Sequence, residues 1–304
     1  MGILGGRTLI EGRKNALVVC GPTASGKSEV SDALAESLTG LRGGRTPTIV
    51  VDSMQVYREL PVITNQARRL PAELVGVVSV TEQWTVARHR EAAEKVVKNL
   101  PGRRFVLDAG TGMYLNVILL DIPLAPKVAP ALRRRAQEEV SAGELDGEVN
   151  PRRAARAREL ELAGEGDRRS IWDGRPRYDA TILYLRPDRP ALDAAIARRS
   201  ARIAREGLQE AELIRDMLAA GAPVNPSVTD SVGVRELIQH LAGKILLSEA
   251  EDRIKVRTRQ LARRQMRWFD KLARTLHASA DIHVLPSPPG GLDVLHGMHD
   301  IIRA

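Results

Sequence analysis

The apolar run Ala16-Leu17-Val18-Val19-Cys20 leads straight into Gly21-Pro22-Thr23-Ala24-Ser25-Gly26-Lys27-Ser28, and a helical pattern from Glu29 to Leu38 follows. Strand, glycine-rich loop and helix in this order, with the spacing G-x-x-x-x-G-K-[ST], make a phosphate-binding loop. Each part has a physical task. Gly21 and Gly26 let the backbone turn so that successive N–H groups point inward. The helix that starts near Ser28 brings its positive dipole end. Lys27 is a mobile cation, and the Ser28 hydroxyl can bind Mg²⁺. The loop says what is bound and leaves the chemistry open.

Further apolar runs place the loop in a sheet. Thr48-Ile49-Val50-Val51 reads as a buried strand ending in Asp52-Ser53, and Phe105-Val106-Leu107 reads as another, breaking at Asp108-Ala109-Gly110-Thr111-Gly112. Ligands collect beyond the carboxyl ends of parallel strands, so Asp52 is expected beside the loop. Gly110 and Gly112 permit a sharp turn, and Thr111 can aim its hydroxyl at the same pocket. Asp108 has two readings: a Mg²⁺-organising carboxylate like that of nucleotide hydrolases, or a turn cap. Val75–Val80 is expected as a short strand, Glu82–Leu100 as a helix, and Thr181–Leu185 and His283–Leu285 as further strands. Val30, Leu34 and Leu38 form the buried face of the first helix.

Residues 1–14 read as a loose leader and Gly40 to Pro47 as a Gly- and Arg-rich loop. Pro123, Pro126 and Pro130 mark a boundary, followed by charged helices at Leu132–Leu145 and Pro151–Leu162. Beyond the returning strand, Pro187–Ala219 is helical with a break near Gly207, and Gly221–Thr229 is a loop. Val232–Ala242 and Ser248–Leu272 are helices. The expected organisation is a catalytic core over 14–122, a small helical insertion over 123–176, the rest of the core with basic helices over 177–286, and a tail over 287–304. The fold class is α/β: a parallel sheet of the P-loop NTPase kind, flanked by helices.

Charge narrows the partners. Lys and Arg number 46 against 38 Asp and Glu, a net +8 over 304 residues. Such a balance suits a polyanion such as nucleic acid, or diphosphate ligands, or reflects arginine on solvated helices. Residues 253–268 concentrate it, with Arg253, Lys255, Arg257, Arg259, Arg263, Arg264 and Arg267 on one helix and Trp268-Phe269 beyond. Aromatics make up only 3%, so the core is mostly Ala, Val, Leu and Ile. The single cysteine, Cys20, allows no intrachain disulfide and reads as a core thiol in a reducing compartment. No apolar run approaches the roughly 20 residues of a membrane span. With neither acylation signal nor secretory segment at Met1–Gly6, a soluble cytoplasmic protein is expected.

Four stretches, in order and spacing, resemble the tRNA dimethylallyltransferase (isopentenyltransferase) family: Gly21–Ser28, Asp52-Ser53-Met54-Gln55-Val56-Tyr57-Arg58, Gly110-Thr111-Gly112-Met113-Tyr114-Leu115, and Arg257 to Phe269. The resemblance covers roughly residues 14–122 and 177–286. It implies transfer of a dimethylallyl group from dimethylallyl diphosphate to N6 of an adenosine next to the anticodon of tRNA. Gly21, Thr23, Ala24, Ser25, Gly26, Lys27 and Ser28 would hold the diphosphate, with Mg²⁺ on Ser28 and, on one reading, Asp108. Asp52 resembles the general base, and Thr111 the residue that contacts the diphosphate. Counting back from Gly207-Leu208, Arg199 falls where the family has its second diphosphate arginine. Ser53 and Gln55 would hold the flipped-out adenine. Arg257, Arg259, Arg263 and Arg264 would meet the anticodon stem-loop, with the protein acting as a monomer.

The chain also departs from that family. The histidine pair usual between Tyr57 and Trp84 is missing, Asp108-Ala109 stands where Gly or Val is usual, and Val234 replaces a Tyr. Residues 123–176 look like a shortened form of the helical insertion that grips the tRNA stem. Two other enzymes stay open on these grounds: an adenylate (AMP) isopentenyltransferase, and a small-molecule or nucleoside kinase with Asp52 as base.

Overall fold

The computed structural model describes residues 14–42, 45–100, 102, 104–141, 151–165 and 170–285. The expected tail, nearly all of the leader, part of the Gly40–Pro47 loop and the end of the Leu132–Leu145 helix lie outside them. Among the described residues, six strands form one parallel sheet in the order β3-β2-β4-β1-β7-β8. They are β1 (Asn15–Cys20), β2 (Thr48–Val51), β3 (Ala72–Glu73), β4 (Arg104–Ala109), β7 (Asp179–Leu185) and β8 (Asp281–Leu285). Leu120–Asp121 (β5) and Arg175–Pro176 (β6) form a separate two-stranded ribbon.

The central strands β1, β2 and β4 have no exposed face. Ala16, Val18 and Val19 of β1, Ile49 to Val51 of β2 and Phe105 to Leu107 of β4 are all fully buried, as a parallel sheet covered on both sides requires. On one side, α1 (Lys27–Arg42) sets Val30, Leu34, Ala35 and Leu38 against Leu17, Val19, Val106 and Leu183. That is the helical face expected from the sequence. Cys20 is buried among these strands, and burial pushes its thiol far above the ordinary value.

The helices after β4 are α3 (Gly112–Leu119), α4 (Pro130–Ser141), α5 (Pro151–Leu162), α6 (Arg189–Glu206), α7 (Leu208–Ala219), α8 (Pro226–Thr229), α9 (Val234–Leu241) and α10 (Leu247–Leu276). A second apolar cluster joins the segment after β2 to five of them. Val56, Tyr57, Leu60 and Ile63 pack with Ile203, Ile214, Val228, Leu237 and Ile254. Among the described residues, those from Asp121 to Arg175 form a compact unit of their own and the others a second. Within the smaller unit Arg158 bridges the helices by pairing with Glu139 at 2.5 Å. No helix among the described residues is long and apolar enough to cross a membrane.

Two expectations are corrected. Val75–Val80 does not form a strand: only an isolated parallel bridge, Tyr57 to Val78, occurs there. The local strand is β3, and Leu74 and Gly76, both at positive φ, turn the chain away just after it. Conversely, the loop expected over Gly221–Thr229 ends in the short helix α8, and Gly112–Leu119, to which the sequence assigns no element, is a helix. Seven of its eight residues are buried, so it carries no amphipathic period to reveal it.

The helix expected within Glu82–Leu100 is α2 (Val86–Lys98), started by the Thr85 hydroxyl, which accepts the Arg88 N–H. It buries His89 completely. The His89 Nδ1 accepts the Trp84 Nε1–H at 2.9 Å, and the ring packs against Tyr114 with centroids 5.1 Å apart. Burial drives the imidazole pKa down to about 4, against the opposing carbonyl of Val50. The unfolded chain, with an ordinary value near 6.5, therefore takes up this proton first. Stability contributed by neutral His89 is complete above about pH 6.5 and is lost as pH falls towards 4, by roughly 3 kcal/mol in all. Urea midpoints should accordingly fall between pH 6.5 and 5. His89→Phe, which has no proton to take up, should flatten that slope whatever its own midpoint.

Candidate active site

The register of the sheet builds the site. Cys20 pairs with Ala109 across β1 and β4, and Val51 pairs with Ala109 across β2 and β4. The residues that follow, Gly21, Gly110 and Asp52, therefore leave three adjacent strands at one level. The crossover from β1 runs to the β2 side and the path from β4 returns on the β7 side. A ligand crevice opens at such a reversal.

In the phosphate loop Gly26 has φ +78°, and Ala24 takes φ 65° without being glycine. A left-handed alanine costs about 1–2 kcal/mol, strain of the kind that collects at functional loops. Two N–H groups of the loop are spent inside the protein, Ser25 on the Pro22 carbonyl and Thr23 on Gln265 Oε1. The N–H groups of the first turn of α1, which lack intrahelical acceptors, and Lys27 would be open to an anion. Burial pushes the Lys27 ammonium below its usual value, while Asp108 and Asp52 hold it up. Its Nζ donates to the Pro22 carbonyl at 3.4 Å.

Asp52 is half-buried and fixed by one oxygen. Its Oδ1 accepts the N–H groups of Met54 at 2.8 Å and Gln55 at 3.3 Å. Its Oδ2 lies against Gly110: a β-carbon there would sit 2.6 Å from that oxygen and 3.3 Å from Lys27 Cε. Gly110 is glycine for this close approach, and a β-carbon on Gly112 would fall 2.2 Å from the Trp268 ring. Neither has a positive φ, so the turn expected from their flexibility is replaced by contacts that admit no side chain. Thr111 Oγ1 accepts the Ser53 N–H at 3.1 Å, and Gly110 and Thr111 both donate their N–H to the Val51 carbonyl. Asp52, Ser53, Gly110 and Thr111 form one linked wall.

A cavity of about 380 Å³ opens on the loop, lined by Ala24 to Glu29 together with Gln55, Asn65, Arg198, Arg199 and Arg202. Arg199 is half-buried and donates to the Ile63 carbonyl at 3.4 Å. Burial lowers its pKa to about 10, with Asp52 opposing and Arg202 adding, so it remains cationic at neutral pH. Gln55 lines this cavity with Oε1 buried and without a hydrogen-bond partner, and Ser53 stands beside Thr111. Arg202 and Asn65 were not foreseen. Arg202 follows Arg198 by one helical turn, a signal that was available. Asn65 sits in an irregular segment at φ 60° and had none. That segment is held by Glu210 of α7, which accepts the N–H groups of Val62 and Ile63.

Asp108 fits neither of its expected roles. Its Oδ2 is held by Arg68 Nη1 at 2.5 Å, and the same guanidinium binds Asp32 of α1 at 2.7 Å. All three side chains are at most 4% exposed. Asp108 neither caps the turn nor lines the cavity. Ser28 does line it. Among the described residues no group of three or more His, Cys, Asp or Glu side chains could hold a metal. The Ser28 hydroxyl is the group that a loop of this pattern would offer to Mg²⁺, alongside substrate phosphates.

The basic helix α10 divides. Arg257 turns inward to Glu236 and the Asp230 carbonyl, both at 2.6 Å, and Arg259 pairs with Asp193 of α6 at 2.9 Å. Arg253 pairs with Glu249. Arg263, Arg264 and Arg267 are exposed. Of the dense cationic face read from the sequence, Arg257 and Arg259 instead brace the helix against its neighbours.

A profile of the IPP transferase family matches residues 55–272. The tRNA dimethylallyltransferase of Rubrobacter xylanophilus is 60% identical over 290 residues, covering 95% of this chain and 98% of that one. That of Geobacter metallireducens is 31% identical over 85% of this chain and 90% of its own. Among solved structures, the full-length tRNA isopentenylpyrophosphate transferase of Bacillus halodurans superposes with a TM-score of 0.69 at 24% identity, over 96% of each chain. A eukaryotic dimethylallyltransferase acting on tRNA gives 0.71 at 21%, over 95% of this chain and 77% of the other. At those identities the two structures speak for the fold.

Proposed function

Because the chain belongs to the IPP transferase family, we infer that it transfers a dimethylallyl group from dimethylallyl diphosphate to N6 of an adenosine next to the anticodon of tRNA. The observation that carries this reading is the meeting of Lys27, Asp52, Thr111 and Arg199 around the ends of three register-matched strands. The allylic C1–O bond breaks, the N6–C1 bond forms, the N6 proton passes to Asp52, and diphosphate leaves. Lys27, Arg199 and the first-turn N–H groups of α1 stabilise the charge that develops on the departing oxygens. Mg²⁺ on Ser28 and on diphosphate oxygens would add to that stabilisation. Asp52 suits the base role because Oδ1 is pinned by Met54 and Gln55 while Oδ2 lies against Gly110, close to Lys27. The kinase reading loses its Mg²⁺-organising carboxylate, since Asp108 is committed to Arg68.

The tRNA is the polyanion that Arg263, Arg264 and Arg267 suit. Replacing Arg263 and Arg264 by alanine should weaken tRNA binding and lower the log–log salt slope by about 2, one unit for each phosphate no longer neutralised. Binding of inorganic pyrophosphate should not change. Filter-binding titrations over a salt series measure both, and an unchanged slope would remove this face as the RNA-binding surface. The reaction itself is checked by digesting tRNA after incubation with enzyme and dimethylallyl diphosphate. Mass spectrometry should find N6-dimethylallyl adenosine at the position after the anticodon; unmodified adenosine there would contradict the proposal.

A further inference from the structure

Gln265 lies on α10 between the exposed arginines, yet its side chain turns inward. Its Oε1 accepts the Thr23 N–H at 2.8 Å, and its Nε2 donates to the Gly110 carbonyl at 2.8 Å. Thr23 belongs to the phosphate loop and Gly110 to the wall that carries Asp52 and Thr111. The β1–β4 pairing ends at Cys20 and Ala109, so this amide continues the link between the two segments beyond the sheet. The task needs a donor and an acceptor on one side-chain end, which a primary amide supplies. A glutamate would face the Gly110 carbonyl with a second acceptor and place a negative charge beside the phosphate loop. An apolar residue would leave both backbone groups without this partner.

Gly110 is a sensitive place to hold. A β-carbon there would run into Asp52 Oδ2 and Lys27 Cε, and the next residue, Thr111, accepts the Ser53 N–H. A shift at Gly110 therefore reaches the base and the loop lysine at once. The reach of Gln265 is in turn set by the seating of α10. Arg259 ties the helix to Asp193, Ala262 packs on Leu192 and Ile196, and Trp268 covers Gly112 while donating to Asn116 Oδ1 at 3.1 Å.

We propose that Gln265 is a positioning residue: it sets the spacing between the phosphate loop and the Asp52–Gly110–Thr111 wall, and makes that spacing depend on the seating of the RNA-facing helix. The proposal rests on the transferase reading above for its substrates. It assigns a fitting role to a residue whose side-chain hydrogen bonds go to Thr23 and Gly110.

Two variants test it. Gln265→Met keeps the volume without the hydrogen bonds, and Gln265→Asn keeps the amide on a stem too short to span both partners. In each, kcat should fall by about 10²-fold, the loss expected when reacting groups move by about 1 Å. Inorganic pyrophosphate, measured by calorimetry, should bind several-fold more weakly. The Kd for tRNA alone should stay at the wild-type value, since Arg263, Arg264 and Arg267 remain. Thermal melts establish that the variants are folded; if the Met variant is not, the Asn variant decides. Unchanged kcat, or unchanged pyrophosphate affinity, overturns the proposal. A loss of tRNA affinity that matches the fall in kcat also overturns it, because Gln265 would then belong to the RNA surface. Failure of the wild type to modify tRNA contradicts the transferase reading instead, and pyrophosphate affinity then decides the positioning role alone.

Discussion

Asp52→Asn is expected to lower the transfer rate by ~10²–10⁴-fold, the range for loss of a general base, while pyrophosphate binding holds or tightens. The substitution suits the geometry. Asn keeps the Oδ1 that accepts from Met54 and Gln55, so the loop after β2 stays in place. What is lost is the proton acceptor at Oδ2 and one negative charge. That charge at present stabilises the cationic forms of Lys27 and Arg199. Removing it leaves those cations less neutralised and the site more attractive to an anion. The pairing of slower turnover with undiminished pyrophosphate affinity separates a base from a residue that merely shapes the pocket. Single-turnover rates and calorimetric titration of pyrophosphate give the two numbers. Near-normal turnover would remove Asp52 as base, and a parallel loss of pyrophosphate affinity would make it structural.

Arg68→Met should cost about 3–5 kcal/mol of stability, the usual effect of removing one partner from a buried ion pair. That is a large share of a typical total of roughly 5–15 kcal/mol. The guanidinium binds Asp32 on α1 and Asp108 on β4, and the Asp32 Oδ2 also accepts the N–H groups of Arg69 and Leu70. Without Arg68, two buried carboxylates lose the cation they share. Replacing the whole group, with Asp32→Leu and Asp108→Val added to Arg68→Met, should recover most of the loss, because well-packed apolar groups can replace a buried ionic cluster. Urea denaturation of the single and triple variants measures this. A single variant as stable as the wild type, or a triple variant no better than the single, would show that the three charges are not energetically coupled. The triad also accounts for the departure from the family at Asp108: a carboxylate is tolerable inside the sheet because Arg68 is there to meet it.

What the sequence disclosed follows from how far each interaction reaches along the chain. The strands of the core were legible because burial on both faces leaves short, continuous apolar runs such as Ile49 to Val51. The phosphate loop was legible because its geometry is local. The level of Asp52 against Gly110 followed from parallel pairing alone. The α3 helix was not, since a helix buried almost all round shows no period. The Val75–Val80 segment misled for the opposite reason: its β-branched residues suit a strand, but Leu74 and Gly76 take positive φ and turn it. Gly110 and Gly112 were identified as special and given the wrong reason, because the Asp52 carboxylate and the Trp268 ring come from distant parts of the chain. The inward turn of Arg257 and Arg259 was hidden likewise. Their partners Glu236, Asp230 and Asp193 are 21 to 66 residues away, and a run of arginines looks the same whether it faces water or a carboxylate.

The central claim concerns the acceptor, and partition of label tests it most directly. Protein is incubated with dimethylallyl diphosphate labelled in its allyl group, together with tRNA and AMP in the same vessel, and each acceptor is separated and counted. The account predicts label in tRNA, released on digestion as N6-modified adenosine, with AMP unlabelled. Label in AMP alone would contradict it, and so would label in neither acceptor when the protein transfers phosphate from ATP.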